Sequence, residues 1–258
     1  MSKEFLDEFQ KNAKIKKPSQ KLLNGFKNFE TSLIYDTLWH NFEIDTHMLG
    51  LKPIFDFMRD KVYVGTAITA KEVSTIKEPI NVIIKRFEET GRSRIDHILA
   101  CIDFAEPGDI IVIDGEGRED LGLWGDNTSM LAKRNGICAV ILYGAVRDVS
   151  KIRKIGFPVF AKGISPKSSG YHLESIGFNV PVTCGGVQVR PGDIIVGDED
   201  GVINIPLEYA ERVLEMATEI QKKEKMTEKA IKKSRYALES YPAGRPEILK
   251  KIGKLQKD

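Results

Sequence analysis

Cysteine is scarce in this 258-residue chain: Cys101, Cys138 and Cys184 stand far apart, with no C-x-x-C pair. That excludes a disulfide framework and a zinc ribbon, and points to a reducing, cytoplasmic setting. Long apolar runs are missing as well. The longest nearly apolar stretch, Ala139 to Val146, falls far short of a bilayer span. The opening Met-Ser-Lys-Glu-Phe lacks the basic-then-apolar pattern of a secretory leader, so neither export nor membrane insertion is expected. No charge sign dominates: Lys and Arg number 39 against 37 Asp and Glu. This balance hides an excess of three positive charges in residues 1–30 and of four in 207–258, which leaves residues 31–206 at −5. An acidic middle between mildly basic ends is not the concentrated positive patch of a nucleic-acid-binding protein.

Familiar catalytic signatures are absent too. Gly115, Gly117 and Gly122 do not complete G-x-G-x-x-G, because position 120 is Asp, and no phosphate-binding G-x-x-x-x-G-K-[ST] occurs. His40, His47, His97 and His172 form no H-E-x-x-H, and there is no G-x-S-x-G elbow. Each histidine reads as a surface or satisfied structural residue.

What is present, 41% hydrophobic and 29% charged residues, is ordinary for a globular protein large enough to build its own core. Residues 3–13 and 19–30 have helical spacing, and Thr31 is expected to cap a further helix through Trp39, so residues 1–40 read as a helical lead-in. Val62 to Val64 and Ala67 to Thr69 are β-rich, and 94–104 is helical until Pro107-Gly108 stops it. Asp109 to Asp114 is a continuous apolar run between acids, as expected of a strand covered on both faces. Glycines are then expected to open a loop. A short helix from an Asp or Asn cap at 126–127 to Asn135, stopped by Gly136, and a strand at 137–142 complete a β-α-β unit. Asp148 to Ile155 reads as another helix, closed by Gly156 ahead of an extended Pro158-Val159-Phe160.

Short strands at 181–183, 186–189, 193–196 and 202–205 suggest a β-meander, which would close the core at residue 206. Pro107-Gly-Asp-Ile-Ile-Val and Pro191-Gly-Asp-Ile-Ile-Val repeat one another. Either both are generic turn-then-strand entries or they mark an internal duplication. From Leu207 to about Leu238 runs a long charged helix ended by 241–244, with seven basic residues between Lys222 and Arg235. Most such runs are solvated faces; a subunit contact or an anionic partner is the other reading.

Chemistry concentrates in two loops. Gly122-Leu-Trp-Gly-Asp126 precedes one helix of the β-α-β unit and Gly144-Ala-Val-Arg-Asp148 follows its second strand. Parallel strands send both loops to one sheet edge, so Asp126, Arg147 and Asp148 could converge there. A guanidinium between two carboxylates can hold a hard divalent cation beside an anionic oxygen. The amides of Asn127 and Thr128, at a helix start, suit a carboxylate. The plainer alternative is that Asp126 and Asp148 each cap a helix and Arg147 bridges them.

The spacing G-x-x-x-D, twenty residues, R-D resembles the signature of the RraA-like proteins. Gly156 to Phe160, Gly185-Gly-Val, Pro191 to Ile195 and Asp198 to Val202 resemble that family's core as well. The likeness runs from about Lys61 to Pro206. It implies an α/β fold with a compact αββα-type core resembling the swivelling phosphohistidine domain, N- and C-terminal helical extensions, and assembly as a homotrimer or homohexamer. It also implies a class II pyruvate aldolase, acting on 4-hydroxy-4-methyl-2-oxoglutarate or 4-carboxy-4-hydroxy-2-oxoadipate, with oxaloacetate decarboxylation through the same enolate.

Carried over, Asp148 would hold Mg²⁺ or Mn²⁺, partly through water, with Asp126 acting through a bound water. Arg147 would contact the 2-keto oxygen, while Gly125 and the amides of Asn127 and Thr128 would receive the carboxylate. A neighbouring subunit's helix would add an acid, for which Glu224 is the candidate. A Lys Schiff base at Lys133 or Lys162 is the mechanistic rival, and a non-catalytic regulator of an RNA-processing enzyme is the functional one. Trp124 and Gly125, directly before Asp126, depart from familiar aldolases and leave the substrate open.

Overall fold

The computed structural model describes residues 3–75, 77–90, 96–240, 244–251 and 254. The chain opens with α1 (Lys3–Asn12), α2 (Gln20–Phe26) and α3 (Thr31–Phe42), followed by a two-residue strand β1 (Lys52–Pro53) and the long β2 (Tyr63–Ser74). Next come α4 (Ile80–Thr90), α5 (Asp96–Phe104), β3 (Ile110–Trp124), α6 (Asp126–Arg134), β4 (Ala139–Val146), α7 (Val149–Ile155) and β5 (Val159–Ile164). The last strands are β6 (Leu173–Phe178), β7 (Val182–Cys184), β8 (Val187–Val189), β9 (Ile194–Gly197) and β10 (Val202–Ile205). Three helices close the chain: α8 (Ala210–Lys233), α9 (Ala237–Ser240) and α10 (Pro246–Lys251).

The fold is mixed α/β. Eight strands form one sheet in the order β1-β5-β4-β3-β2-β9-β10, with β6 also paired to β2, while β7 and β8 make a separate hairpin. The β-α-β unit is present: β3 and β4 run parallel, Ile110 opposite Ala139 through Asp114 opposite Tyr143. Their apolar runs are fully buried because helices cover one side and the curling sheet the other. The sheet nearly closes on itself. His47 bridges to Ile203 of β10 and Met48 N–H donates to Val202 O, while five residues on Lys52 pairs with Ala161 of β5. Residues 47–53 thus strap one end of the strand order to the other.

Two apolar clusters result. One surrounds Ile110–Ile113, Val140–Leu142, Trp124, Phe157 and Phe160; the other joins Phe26, Ile34 and Leu38 to Val196, Ile203 and Ile205 beneath Val213 and Ala217 of α8. Gly25 allows the second to close, since a Cβ there would lie 2.6 Å from Leu214 Cδ2.

Several expectations need correction. Thr31 is the first residue of α3 and not its cap; Glu30 holds the cap position. The Asp198 carboxylate does the capping from across the chain, accepting Thr31 N–H and Thr31 Oγ1–H, each at 2.7 Å. The glycines after Asp114 do not simply open a loop. β3 continues to Trp124 with three register shifts against β4, so that Arg118, Gly122 and Trp124 oppose Gly144, Ala145 and Val146. Positive φ at Glu116 (57°) and Gly117 (66°) turns the strand outward at the first of these bulges. α8 stops at Lys233, short of Leu238; Ser234 is extended, and its hydroxyl donates to Ile231 O, competing with the helical backbone. The expected stop at 241–244 falls largely outside the described residues. α4 and β6 arise where the pattern of apolar residues suggested nothing.

The repeated hexapeptides build the same turn. Gly108 and Gly192 have φ of +95° and +93°, and Asp109 and Asp193 each accept the backbone N–H three residues back, from Glu106 at 2.7 Å and Arg190 at 2.9 Å. Their strands nevertheless meet β2 in opposite senses, β3 parallel and β9 antiparallel. A turn-then-strand cassette used twice fits this better than a duplicated unit, which would keep its pairing sense.

Candidate active site

The two loops meet because β3 keeps pairing with β4 to its last residue. Arg147 N–H donates to Trp124 O at 2.9 Å, directly joining the end of β3 to the turn after β4. Trp124 anchors this junction. It is fully buried, stacks on Phe157 with ring centroids 6.0 Å apart, and donates its indole N–H to Ser129 Oγ at 2.7 Å. The bulky residue that looked anomalous in sequence therefore points into the core.

Two glycines make room for the charged residues. A Cβ on Gly122 would lie 2.8 Å from Ser165 O and 2.9 Å from Arg147 Cβ, and one on Gly125 would lie 2.6 Å from Asp148 Oδ2. A third segment, invisible in the loop spacing, crosses here as well: Gly122 N–H donates to Lys167 O at 2.7 Å, and Ser169 N–H donates to Gly122 O at 3.2 Å.

Arg147 and Asp148 form a pair, Nε to Oδ2 at 3.2 Å, half-buried on both sides. The Nε–H is buried without a well-directed hydrogen bond, and neither Nη group has a hydrogen-bond partner among the described residues. Asp148 occupies the cap position of α7 in a left-handed backbone conformation, φ 57° and ψ 30°, and its side chain makes no capping bond. Asp tolerates that region better than most residues, but it is still an uncommon setting for a non-glycine.

Asp126 is differently engaged. It is the first residue of α6, Gly125 being the cap, and Thr128 Oγ1 receives the Gly125 N–H at 3.1 Å. Asp126 Oδ1 takes the Asn127 N–H at 3.0 Å and Oδ2 takes Lys151 Nζ at 2.8 Å. Lys151 thereby holds the Asp126 carboxyl below its ordinary range, and Asp126 pushes the Lys151 ammonium up. Arg147 does not bridge the two carboxylates, and Asp148 makes no capping bond through its side chain, whereas Asp126 takes a first-turn amide of α6. Of the two α6 amides expected to receive a carboxylate, Asn127 N–H is already occupied by Asp126. Glu224 lies on α8, lining a groove with Asn28, Glu30, Ser32 and Gln221, apart from these loops within the chain.

Whether such residues suit a divalent cation depends on its coordination habits. Mg²⁺ usually keeps several waters and takes only one or two protein carboxylates. Asp148 fits, because its oxygens accept no hydrogen bond among the described residues and Gly125 leaves the flank of Oδ2 open. Among the described residues no three metal-ligating side chains cluster, so a cation held at Asp148 would have to keep most of its waters.

The Schiff-base candidates are committed elsewhere. Lys133 donates to Ile155 O at the end of α7, and Lys162 pairs with Glu119 at 3.2 Å over the Tyr143 ring. The thiols are equally unpromising as nucleophiles: burial pushes Cys101 and Cys184 well up, and Cys138 up to about 11.

The RraA-like family model, described as Aldolase/RraA, matches residues 31–204, the span holding both loops. The chain belongs to the RraA-like family. A Halalkalibacterium halodurans relative bearing the name "putative 4-hydroxy-4-methyl-2-oxoglutarate aldolase" is 39% identical over 145 residues, covering 56% of this chain and 68% of its own. An uncharacterized protein of Methanocaldococcus jannaschii is 37% identical over 177 residues, 68% of this chain and 75% of its own. A solved structure of Streptomyces coelicolor RraAS2, a member of the RNase ES inhibitor RraA family, superposes with a TM-score of 0.71 at 22% identity. It covers 83% of this RraA-like chain and 99% of that one, which shows the shared fold. No helix among the described residues is long and apolar enough to cross a membrane.

Proposed function

We propose that this RraA-like protein is a divalent-metal-dependent lyase that cleaves a 4-hydroxy-2-oxo acid to pyruvate through an enolate, and decarboxylates oxaloacetate by the same route. The observation that carries the reading is the Arg147–Asp148 pair, 3.2 Å apart, with guanidinium nitrogens unspent and with glycines holding the space around both side chains. The aldolase name of the 39%-identical relative supports it.

The substrate's C1 carboxylate is placed at the start of α6, where the Thr128 N–H and the helix dipole favour an anion. Its 2-keto oxygen then meets the Nη groups of Arg147. As the C3–C4 bond breaks, its electron pair forms the enolate, negative charge grows on that oxygen, and a fixed guanidinium stabilises it without reorganisation. Asp148 is the ligand for Mg²⁺ or Mn²⁺, which when bound supplies Lewis-acid stabilisation of several kcal/mol. The C4 hydroxyl becomes a carbonyl by losing its proton. Asp126, kept ionised by Lys151, is a weak base, so its part is to orient a water that takes the hydroxyl proton and returns a proton to C3 of the enolate, which gives pyruvate. When oxaloacetate loses CO₂ the same enolate forms, and Arg147 serves it identically.

The reading includes the αββα, swivelling-domain kinship of the core and a cytoplasmic homotrimer or hexamer. In that assembly Glu224 of one subunit completes the site of the next. α8 supports this geometry: its buried residues are Ala210, Val213 and Ala217, all in its first half, while Met226 and Ile231 in the second half are exposed.

The test is pyruvate release from oxaloacetate and from 4-hydroxy-4-methyl-2-oxoglutarate, with and without EDTA. Turnover should vanish with EDTA and return with Mg²⁺ or Mn²⁺. Metal-independent turnover, or a wild-type rate in Arg147→Ala, overturns the reading.

A further inference from the structure

We infer that Lys151 is the specificity-determining residue of this site: its ammonium takes the carboxylate at the far end of the substrate, so that doubly charged 2-oxo acids are preferred over singly charged ones. The inference rests on the lyase reading and adds to it a residue on α7 that the loop motifs do not include.

Three observations carry it. First, Lys151 stands one turn beyond Asp148, its N–H donating to Asp148 O at 2.9 Å, so it rises from the same helix start as the Arg147–Asp148 pair. Second, its ammonium reaches back to Asp126 Oδ2 at 2.8 Å and remains within electrostatic reach of both Asp148 and Arg147. Third, the side chain is 67% exposed and Asp126 is its one hydrogen-bond partner among the described residues. Two N–H donors are therefore left for a ligand.

The position is not explained by helix stability. A cation in the first turn of α7 has the wrong sign for the helix dipole, and an ion pair this exposed contributes only about 0–1 kcal/mol. Its effect on charge is larger. Arg147 and Lys151 balance Asp126 and Asp148, so a bound divalent cation leaves the site at two positive charges, which a dianion neutralises and a monoanion does not. Arg147 and the α6 amide are assigned to the keto oxygen and the C1 carboxylate, which leaves Lys151 as the cation for the second carboxylate.

The test measures binding, independent of turnover. Calorimetry with Mg²⁺ present would compare 2-oxoglutarate, a dianion with no C4 hydroxyl to cleave, with 2-oxobutyrate, a monoanion. Wild type is expected to bind the dianion at least ~10-fold more tightly, the range for a charge-assisted contact. Lys151→Met, with Lys151→Gln as a second variant, should bring the ratio to within about twofold, with most of the loss falling on 2-oxoglutarate; Lys151→Arg should restore much of the preference. A preference that survives in both neutral variants, an equal loss for both ligands, or no preference in wild type overturns the inference. A wild-type preference lost in the variants, in a protein that forms no pyruvate, supports the inference and counts against the lyase reading alone.

Discussion

Gly125 and Asp148 share one space: a Cβ on the glycine would stand 2.6 Å from the Asp148 carboxylate oxygen, closer than any unstrained contact. The carboxylate is held on residue 148 by a left-handed backbone turn, and it cannot move aside without disturbing Arg147, 3.2 Å away. Gly125→Ala should therefore lower kcat/KM for oxaloacetate at least ~10-fold, as small displacements of positioned groups do. It should cost only about 1 kcal/mol of stability, the scale of a cap change. Steady-state kinetics beside a urea melt would separate the two effects.

Arg147→Lys keeps the charge and loses the planar fork. Removing a preorganised donor to a developing oxyanion typically costs about 10²-fold or more in kcat, and that fall is expected here, measured as initial rates of pyruvate formation. A variant within twofold of wild type would mean that only the charge matters.

The Asp198 carboxylate holds three donors: Thr31 N–H and Thr31 Oγ1–H at 2.7 Å each, and Asp200 N–H at 2.9 Å. Asp198→Ala strips the start of α3 of its cap and leaves buried donors unmet, which should cost roughly 2–3 kcal/mol. Asp198→Asn retains an acceptor and should recover part of the loss. Urea denaturation midpoints at neutral pH would show both.

Glu72 is 3% exposed, and its Oε1 has no hydrogen-bond partner among the described residues. Burial pushes its carboxyl from 4.5 up to about 8, opposed by the hydrogen bond to Ser175. A carboxyl that binds its proton more tightly folded than unfolded favours the fold most below its unfolded pKa. That advantage is lost as pH climbs from 4.5 through about 8. Within this window the loss approaches roughly 1.4 kcal/mol per pH unit. Wild type should thus lose stability relative to Glu72→Gln between pH ~5 and ~9. Parallel melts of the two across that range would refute the assignment.

Much of the candidate site's placement is legible in the sequence because its parts are local. Gly122, Asp126, Arg147 and Asp148 flank a β-α-β unit whose buried strands announce themselves as apolar runs, and parallel pairing alone carries both loops to one edge. Lys151 was hidden because it looks like any surface lysine on a short charged helix; its distance from Asp148, one helical turn, was the available cue. The crossing of Lys167 and Ser169 over Gly122 depends on backbone bonds that side-chain identity does not encode. Local spacing makes Thr31 look like a cap, whereas the carboxylate that caps α3 comes from 167 residues away. The bulges of β3 escaped for the same reason: glycines mark departures from regular pairing, but only the partner strand decides whether pairing resumes.

The strap at residues 47–53 has a consequence for association. By filling the gap between β10 and β5 it denies an incoming strand the margin on which sheets of separate molecules commonly fuse. Of the strands on this sheet, six-residue β6 is left with the barer flank. Among the described residues, edge-to-edge joining of this sheet is thereby confined to the flank of β6, which pairs only with β2.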